Sequence, residues 1–197
     1  MRKTLTHGST IDAAFMMEFF GEYKDGGTSY DISIDNRINQ RLTGDKCCNL
    51  AGIRKSKVAD RERVVDIWRG AVDATHHFLH PEDRRDIEVE VVAFLPTVSL
   101  WLAVDNTDAA LGFMLLEGSC MEALFVDPLH RGSGIGRALI QHALTFHSTI
   151  TTEVNEQNSQ AVGFYCHLGF ERVGYSQHDQ QGRPYPLIHL RKSLGIE

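Results

Sequence analysis

Three glycines at alternate positions, Gly132, Gly134 and Gly136, join a stretch that alternates like a strand to one that repeats like a helix. No other feature constrains the fold of this chain as tightly. The strand is residues 120–126, Cys-Met-Glu-Ala-Leu-Phe-Val, and Asp127-Pro128 stops it because proline cannot continue a ladder. The helix opens near Gly136 and runs to His147. Ile135, Leu139, Ala143 and Phe146 share one side of it, which predicts a buried face. A strand that leads through glycines into a helix start makes an anion site. Backbone N–H groups converge there, the helix dipole adds partial positive charge, and the missing Cβ atoms let a ligand approach the backbone. Arg131 and Arg137 flank the site with fixed charge suited to phosphate oxygens. A phosphorylated ligand is expected here.

The loop itself discriminates between phosphate motifs. A P-loop needs Lys-Ser/Thr after its last glycine, and Arg137-Ala138 follow instead. A dinucleotide fingerprint needs its third glycine three residues after the second and an acid about twenty residues on. Glu153 lies at a tolerable distance, but Gly132, Gly134 and Gly136 do not have that spacing. A plain glycine-rich turn before an ordinary helix is the structural alternative.

The 197 residues suit one sizeable domain with length left for an extension. A net charge of −6 argues against general nucleic-acid binding and against adhesion to an anionic membrane. No apolar run reaches the roughly 18 residues of a membrane span. The Met-Arg-Lys start leads into a patch broken by Asp12 and Glu18, unlike a signal peptide. Cys47, Cys48, Cys120 and Cys166 fit neither a zinc site nor a disulfide framework, so a reducing cytoplasm is expected, with Cys120 and Cys166 as small buried hydrophobes.

Residues 1–51 read as a poorly defined extension, with a short helix over 11–20 and loop signals at Gly26-Gly27 and Thr43-Gly44, either loosely packed or docked on a partner. The domain proper is expected over 52–192, with a tail over 193–197. Within it a strand at 52–55 precedes a helix over 59–78 that Asp60 caps and that carries an apolar stripe from Val64 to Thr75. A second helix covers 82–94, and Pro96 ends it. Strands follow at 98–104, 111–116 and 120–126, then the glycine loop and its helix, then a strand at 150–154. A helix over 159–168 has Asn158 as N-cap, Ala161, Phe164, Tyr165 and Leu168 on one face, and Gly169 as its left-handed stop. Strands at 170–175 and 187–191 close the chain. Strands joined by short turns should be antiparallel, and the pair flanking the glycine-loop helix parallel, since a crossover needs that length.

Arg131-Gly132-Ser133-Gly134-Ile135-Gly136 resembles the Arg/Gln-x-x-Gly-x-Gly/Ala loop of the GCN5-related N-acetyltransferases (GNATs), which wraps the pyrophosphate of acetyl-coenzyme A. Asn158-Ser159-Gln160-Ala161-Val162-Gly163-Phe164-Tyr165 followed by Gly169-Phe170 resembles a second element of that family. Further stretches, among them Trp101-Leu102-Ala103-Val104, Val154-Asn155-Glu156-Gln157-Asn158 and Pro184-Tyr185-Pro186-Leu187, resemble the bacterial YjaB-type branch, over roughly residues 52–191. The first fifty residues depart from that form.

The resemblance implies a mixed α/β GNAT fold. Its central sheet of six or seven mostly antiparallel strands has one parallel pair splayed around the cofactor, with about four helices flanking it. It also implies direct acetyl transfer from acetyl-CoA to an amine in a ternary complex, by a monomer or homodimer, with no metal, nucleic acid or membrane. The acceptor stays open between a protein lysine, a protein N-terminus and a small amine. Leu124, Phe125 and Val126 would pair with the pantetheine arm and supply the oxyanion donor. Arg131, Gly132, Ser133, Gly134, Ile135, Gly136 and Arg137 would hold the pyrophosphate, with Asn158 and Tyr165 also at the cofactor. Tyr165 would be the general acid, although an apolar stripe also suits a core tyrosine. Glu122, placed by period two on the face of Leu124 and Val126, would be the base or else a solvated strand-face charge. Asn155 would orient substrate or build a turn. His76 and Phe78 are candidate acceptor contacts. His76 and His80 have a spacing that suits zinc, but no third ligand is evident and Pro81 disrupts the turn, so no metal is assigned. The alternative from another class is a non-catalytic acyl-CoA-binding regulatory module that acts through a protein partner, which an intact Tyr165 counts against. Acetylation of charged transfer RNA would call for a basic surface that the net charge of −6 opposes.

Overall fold

Among the described residues, alternating apolar residues build seven strands, and the 3.6-residue repeat builds four α-helices that cover both faces of the sheet. The computed structural model describes residues 50–179 and 181–194, and the features expected within residues 1–49 lie outside them. Strands β1 (Gly52–Lys55), β2 (Trp101–Val104), β3 (Ala110–Glu117), β4 (Cys120–Val126), β5 (Thr149–Asn155), β6 (Glu171–Ser176) and β7 (Leu187–Ser193) form one sheet in the order β1-β2-β3-β4-β5-β7-β6. Every neighbouring pair is antiparallel except β4 and β5, which are parallel around the crossover helix, as the connection lengths require. The helices are α1 (Arg61–Thr75), α2 (Pro81–Phe94), α3 (Ile135–Phe146) and α4 (Ser159–His167). Element order and topology match the expected fold.

Side chains divide between two cores, one on each face. Val64, Ile67 and Trp68 of α1 and Ile87 and Val91 of α2 pack on Phe113, Leu115 and Ala123. On the other face Leu139, Ile140 and Ala143 of α3 and Tyr165 of α4 pack on Met114, Met121 and Ile150. Residues of β4 therefore sort by face: Ala123 and Phe125 belong to the first core, Met121, Leu124 and Val126 to the second. Met121 and Leu124 are three apart yet share a face. The cause is a bulge, because Leu115 pairs with Ala123 and Leu116 with Met121, leaving Glu122 as the extra residue. The unbroken period of two therefore fails at Glu122.

Other departures have local causes. The first helix stops at Thr75 rather than at 78: the Thr75 hydroxyl folds back onto the Ala71 carbonyl (2.7 Å), and Pro81 holds His80 extended at ψ 142°. Pro81 then opens α2, where its missing N–H costs nothing. Asp60 stands at the N-cap of α1 as expected, but its side chain makes no capping bond there. Its carboxylate accepts from the Lys57 N–H (2.7 Å) in a preceding 3₁₀ turn and from two Arg54 nitrogens (2.8 and 3.0 Å). Pairing of β2 starts at Trp101 because Leu100 spends both backbone groups on Ser56 (2.8 and 3.0 Å). Phe146 is 39% exposed, since the last turn of α3 meets the half-buried Trp101 ring (5.4 Å between centroids) instead of the core.

Candidate active site

Two strands that begin as neighbours and then part create the site. β4 and β5 share a single registered pair, Cys120 with Thr151. Thr151 N–H donates to the Ser119 carbonyl (2.9 Å), and the buried Thr152 hydroxyl donates to the Met121 carbonyl (2.7 Å). Beyond Met121 no further pair registers between them among the described residues. Asp127 N–H donates to Leu111 on β3 (2.9 Å), and peptide groups alternate in direction along a strand. The backbone groups of Leu124 and Val126 consequently face the gap, where an extended ligand can pair with them as an added strand.

The glycine loop closes one end of that gap. Gly132 (φ 76°) and Gly134 (φ 85°) occupy left-handed backbone that side chains resist. Gly134 is the N-cap of α3, and the first helical bond closes from Ala138 N–H to the Gly134 carbonyl (2.9 Å). The N–H groups of Ile135, Gly136 and Arg137 precede that bond and have no helical carbonyl behind them. Gly136 is glycine for a packing reason, since a Cβ there would come within 2.9 Å of the Phe164 ring of α4. Arg131 donates to the Ala71 carbonyl of α1 (3.2 Å), which fixes its charge at the loop entrance. Together these groups bound a cavity of about 570 Å³, lined by all the expected cofactor residues except Ser133. Ser133 instead donates its hydroxyl to the His130 carbonyl and so braces the loop. Open N–H groups, fixed guanidinium charge and a gap of strand width fit a pyrophosphate with a pantetheine arm.

Tyr165 stands where this cavity meets a second one. Asn158 caps α4 by accepting from Ala161 N–H (3.1 Å), which presents Tyr165 inward, flanked by the rings of Phe164 (5.2 Å) and Phe170 (5.1 Å). The phenol is 7% exposed, and burial raises its pKa strongly against a small opposing effect of the Thr152 hydroxyl. It stays protonated at any working pH. Such a group can donate a proton but offers no base.

The second cavity, of about 260 Å³, shares His76, Leu124, Phe125, Asn158, Ala161 and Tyr165 with the first. Its acids are Glu122, Glu153 and Asp179, its apolar walls include Phe78, Ile87 and Tyr185, and no lysine or arginine is among the described residues that line it. Burial, and to a smaller extent the negative charges of Glu117 and Glu153, raise the pKa of Glu122, against an opposing hydrogen bond from Cys120. The Cys120 thiol is pushed up to about 12 by burial and by Glu122, so it stays a thiol. His76 is lowered to about 4 by burial and by the charges of Arg131 and Arg84, and is therefore neutral. Its Nδ1 lies 2.9 Å from the Thr75 hydroxyl, and its ring lies 5.3 Å from Phe78. Asn155 lines the cavity while also building the turn before α4, accepting from Gln157 N–H (3.0 Å). His76 and His80 do not converge on a third ligand, and no group of three or more metal-ligating side chains occurs among the described residues.

Sequence reasoning missed Thr152, Glu153, Asp179 and Tyr185. Tyr185 donates its hydroxyl to the Asp83 carboxylate and accepts from His80 N–H (3.0 Å), which ties the β6–β7 loop to the start of α2 above the second cavity. The one local signal was an acid on a strand, Glu153, whose neighbours alternate with buried ones.

Comparison with known proteins agrees with this geometry. The sequence model of the acetyltransferase (GNAT) domain matches residues 96–172. The chain is 50% identical over 141 residues to the peptidyl-lysine N-acetyltransferase YjaB of Salmonella typhimurium, covering 72% of this chain and 97% of that one. Identity to YjaB of Escherichia coli is 51% over 141 residues, covering 72% and 96%. The solution structure of apo-form YjaB from Escherichia coli superposes with a TM-score of 0.70 at 50% identity, over 74% of this chain and 98% of that one.

Proposed function

Since the chain belongs to the acetyltransferase (GNAT) family and transfers the acetyl group of acetyl-CoA to an amine, we propose that its acceptor is a lysine side chain of a protein. The observation that carries this reading is the second cavity. It is narrow, acidic through Glu122, Glu153 and Asp179, and apolar along Phe78 and Ile87, which suits an alkyl stem ending in an ammonium. Its curated relatives bear the name peptidyl-lysine N-acetyltransferase.

In this reading the amine loses its proton to Glu122, whose raised pKa poises it as a base. The amine then attacks the thioester from the second cavity. N–H groups of β4 facing the gap hold the oxyanion, an effect typically worth about 3–4 kcal/mol. Tyr165 gives its proton to the departing thiolate. The backbone of Leu124 and Val126 holds the pantetheine arm, and residues Arg131 to Arg137 hold the pyrophosphate. Acetyl transfer is direct, because Cys120 stays protonated and Cys166 lies on the outside of α4. We assign the chemistry to residues 52–192 and place it in the cytoplasm, which free Cys120 and Cys166 suit. No helix among the described residues is long and apolar enough to cross a membrane.

The test compares two peptides of one sequence at saturating acetyl-CoA, one with a free lysine and a blocked N-terminus, the other with a free N-terminus and no lysine. Turnover of the first and not the second is expected. Turnover of the second alone would overturn the lysine reading, and acetyl-CoA binding without turnover of any amine would favour a regulatory module.

A further inference from the structure

Behind Glu153 lies a group of residues that the reaction as described does not use. Glu153, His189 and Ser176 stand on the adjacent strands β5, β7 and β6, with His189 registered opposite Glu153 on one side and Gly174 on the other. Glu153 Oε1 lies 2.9 Å from His189 Nδ1, and His189 Nε2 lies 2.8 Å from Ser176 Oγ. Gly174 makes room for the ring, since a Cβ there would come within 3.3 Å of His189 Cβ and Cγ. Glu153 lines the acceptor cavity, and the His189 and Glu153 side chains are 33% and 34% exposed, so with an acceptor seated over Glu153 the His189 edge still reaches solvent. These groups form a continuous line from the acceptor to solvent across one face of the sheet.

An acceptor that arrives as an ammonium must release a proton before it attacks, and the nitrogen must release a second as the amide forms. Tyr185 and its loop lie over the cavity, and the cosubstrate would fill the gap beside it. The protons need a way out.

We propose that His189, held between Glu153 and Ser176, is a positioning residue that aims the Glu153 carboxylate at the acceptor amine and passes the acceptor's proton outward to solvent. The proposal rests on acetyl transfer to an amine bound in this cavity. The transfers balance as proton movements only. Glu122 takes the first proton. As the amide forms, the nitrogen's second N–H bond breaks as an O–H forms on Glu153. The exposed ring passes by exchange with solvent to its Nε2–H tautomer, and the Glu153 O–H breaks as an N–H forms at His189 Nδ1. The imidazolium then releases its Nε2 proton through Ser176 Oγ or directly to water, which restores the Nδ1–H tautomer that donates to the Glu153 carboxylate. The charged group against His189 is Glu153 on β5; Arg191, two residues along β7, pairs with Glu171 of β6 at 3.9 Å, and Glu122, Cys120 and Asp179 line the cavity that Glu153 also lines.

The test measures pH–rate profiles with acetyl-CoA and an N-terminally blocked lysine peptide, for the wild type, His189→Asn and Ser176→Ala. The Asn amide can still donate to Glu153 but cannot carry a proton. We expect His189→Asn to keep the KM for peptide and the acetyl-CoA-induced rise in Tm. Its kcat should fall about 10- to 100-fold, less than the loss of a directly acting acid or base typically costs. Imidazole added to His189→Ala should restore part of the rate. Ser176→Ala, which touches neither cavity, should move the acid limb of the profile with KM unchanged, and it serves as the probe if His189→Asn fails to fold. Profiles of both variants that superpose on an active wild type would overturn this inference alone. A wild type that binds acetyl-CoA yet leaves the peptide unmodified would overturn the acceptor assignment, and this inference with it.

Discussion

Burial raises the Tyr165 pKa and so keeps the phenol protonated, the state that the proposed general acid needs, and that makes Tyr165 the most informative single residue to change. Tyr165→Phe should lower kcat by about 10²–10⁴ while leaving the acetyl-CoA-induced shift in Tm intact, as thermal melts and initial rates would show. A loss of the melting shift would mean the ring is needed for the cofactor wall rather than for its proton. Glu122 poses the opposite question, since the base role proposed for it needs the deprotonated carboxylate. Its pKa is raised, so the rate should climb as pH rises through that elevated value, and Glu122→Gln should abolish this acid limb of the pH profile. Tyr165, Asn158 and the glycine loop were legible in the sequence because each belongs to a short motif whose geometry is local. Tyr185 was not, because its hydroxyl meets Asp83 and the His80 N–H across more than a hundred residues. Glu153 was visible only as an acid on a strand. Its place in the acceptor wall depends on how far β4 and β5 part.

That parting is set at the level of elements. Period and turn chemistry predicted every strand and helix of the described domain in order, with errors confined to ends where side chains captured backbone groups, as at Thr75 and Leu100. A bulge leaves no such trace, for nothing in Cys-Met-Glu-Ala-Leu-Phe-Val says which residue is extra, and so the break of period at Glu122 was not legible. The fork between β4 and β5 is held at its root by the Thr152 hydroxyl on the Met121 carbonyl, 2.7 Å apart and buried. Thr152→Val keeps the shape and strands that carbonyl, which should cost about 1–3 kcal/mol and appear as a lower midpoint in denaturant. At the other end of the fork, α3 and α4 meet where Gly136 faces Phe164 at contact distance. Gly136→Ala should weaken acetyl-CoA binding and destabilise by about 1–3 kcal/mol through overpacking, measurable by calorimetry and thermal melts.

For the whole molecule, one buried and one half-buried imidazole couple folding to acidity. His142 lies under Trp101 and Phe146 with its Nε2 unpaired, and burial lowers its pKa from 6.5 to about 4; His76 is lowered similarly. Between those values the unfolded chain binds more protons than the folded one, so stability is full above about pH 6.5 and drains away as pH falls toward 4. Tm measured from pH 7 to pH 4.5 should fall, and His142→Leu should flatten the descent. The two cavities have a consequence for timing as well. They share His76, Leu124, Phe125, Asn158, Ala161 and Tyr165, so they are two rooms with one wall between them. A guest in the first room finishes the wall of the second. If the amine sits in the second room, a fixed queue is the expected outcome, the acetyl carrier before the amine, and product-inhibition kinetics would show the spent carrier as the last to leave.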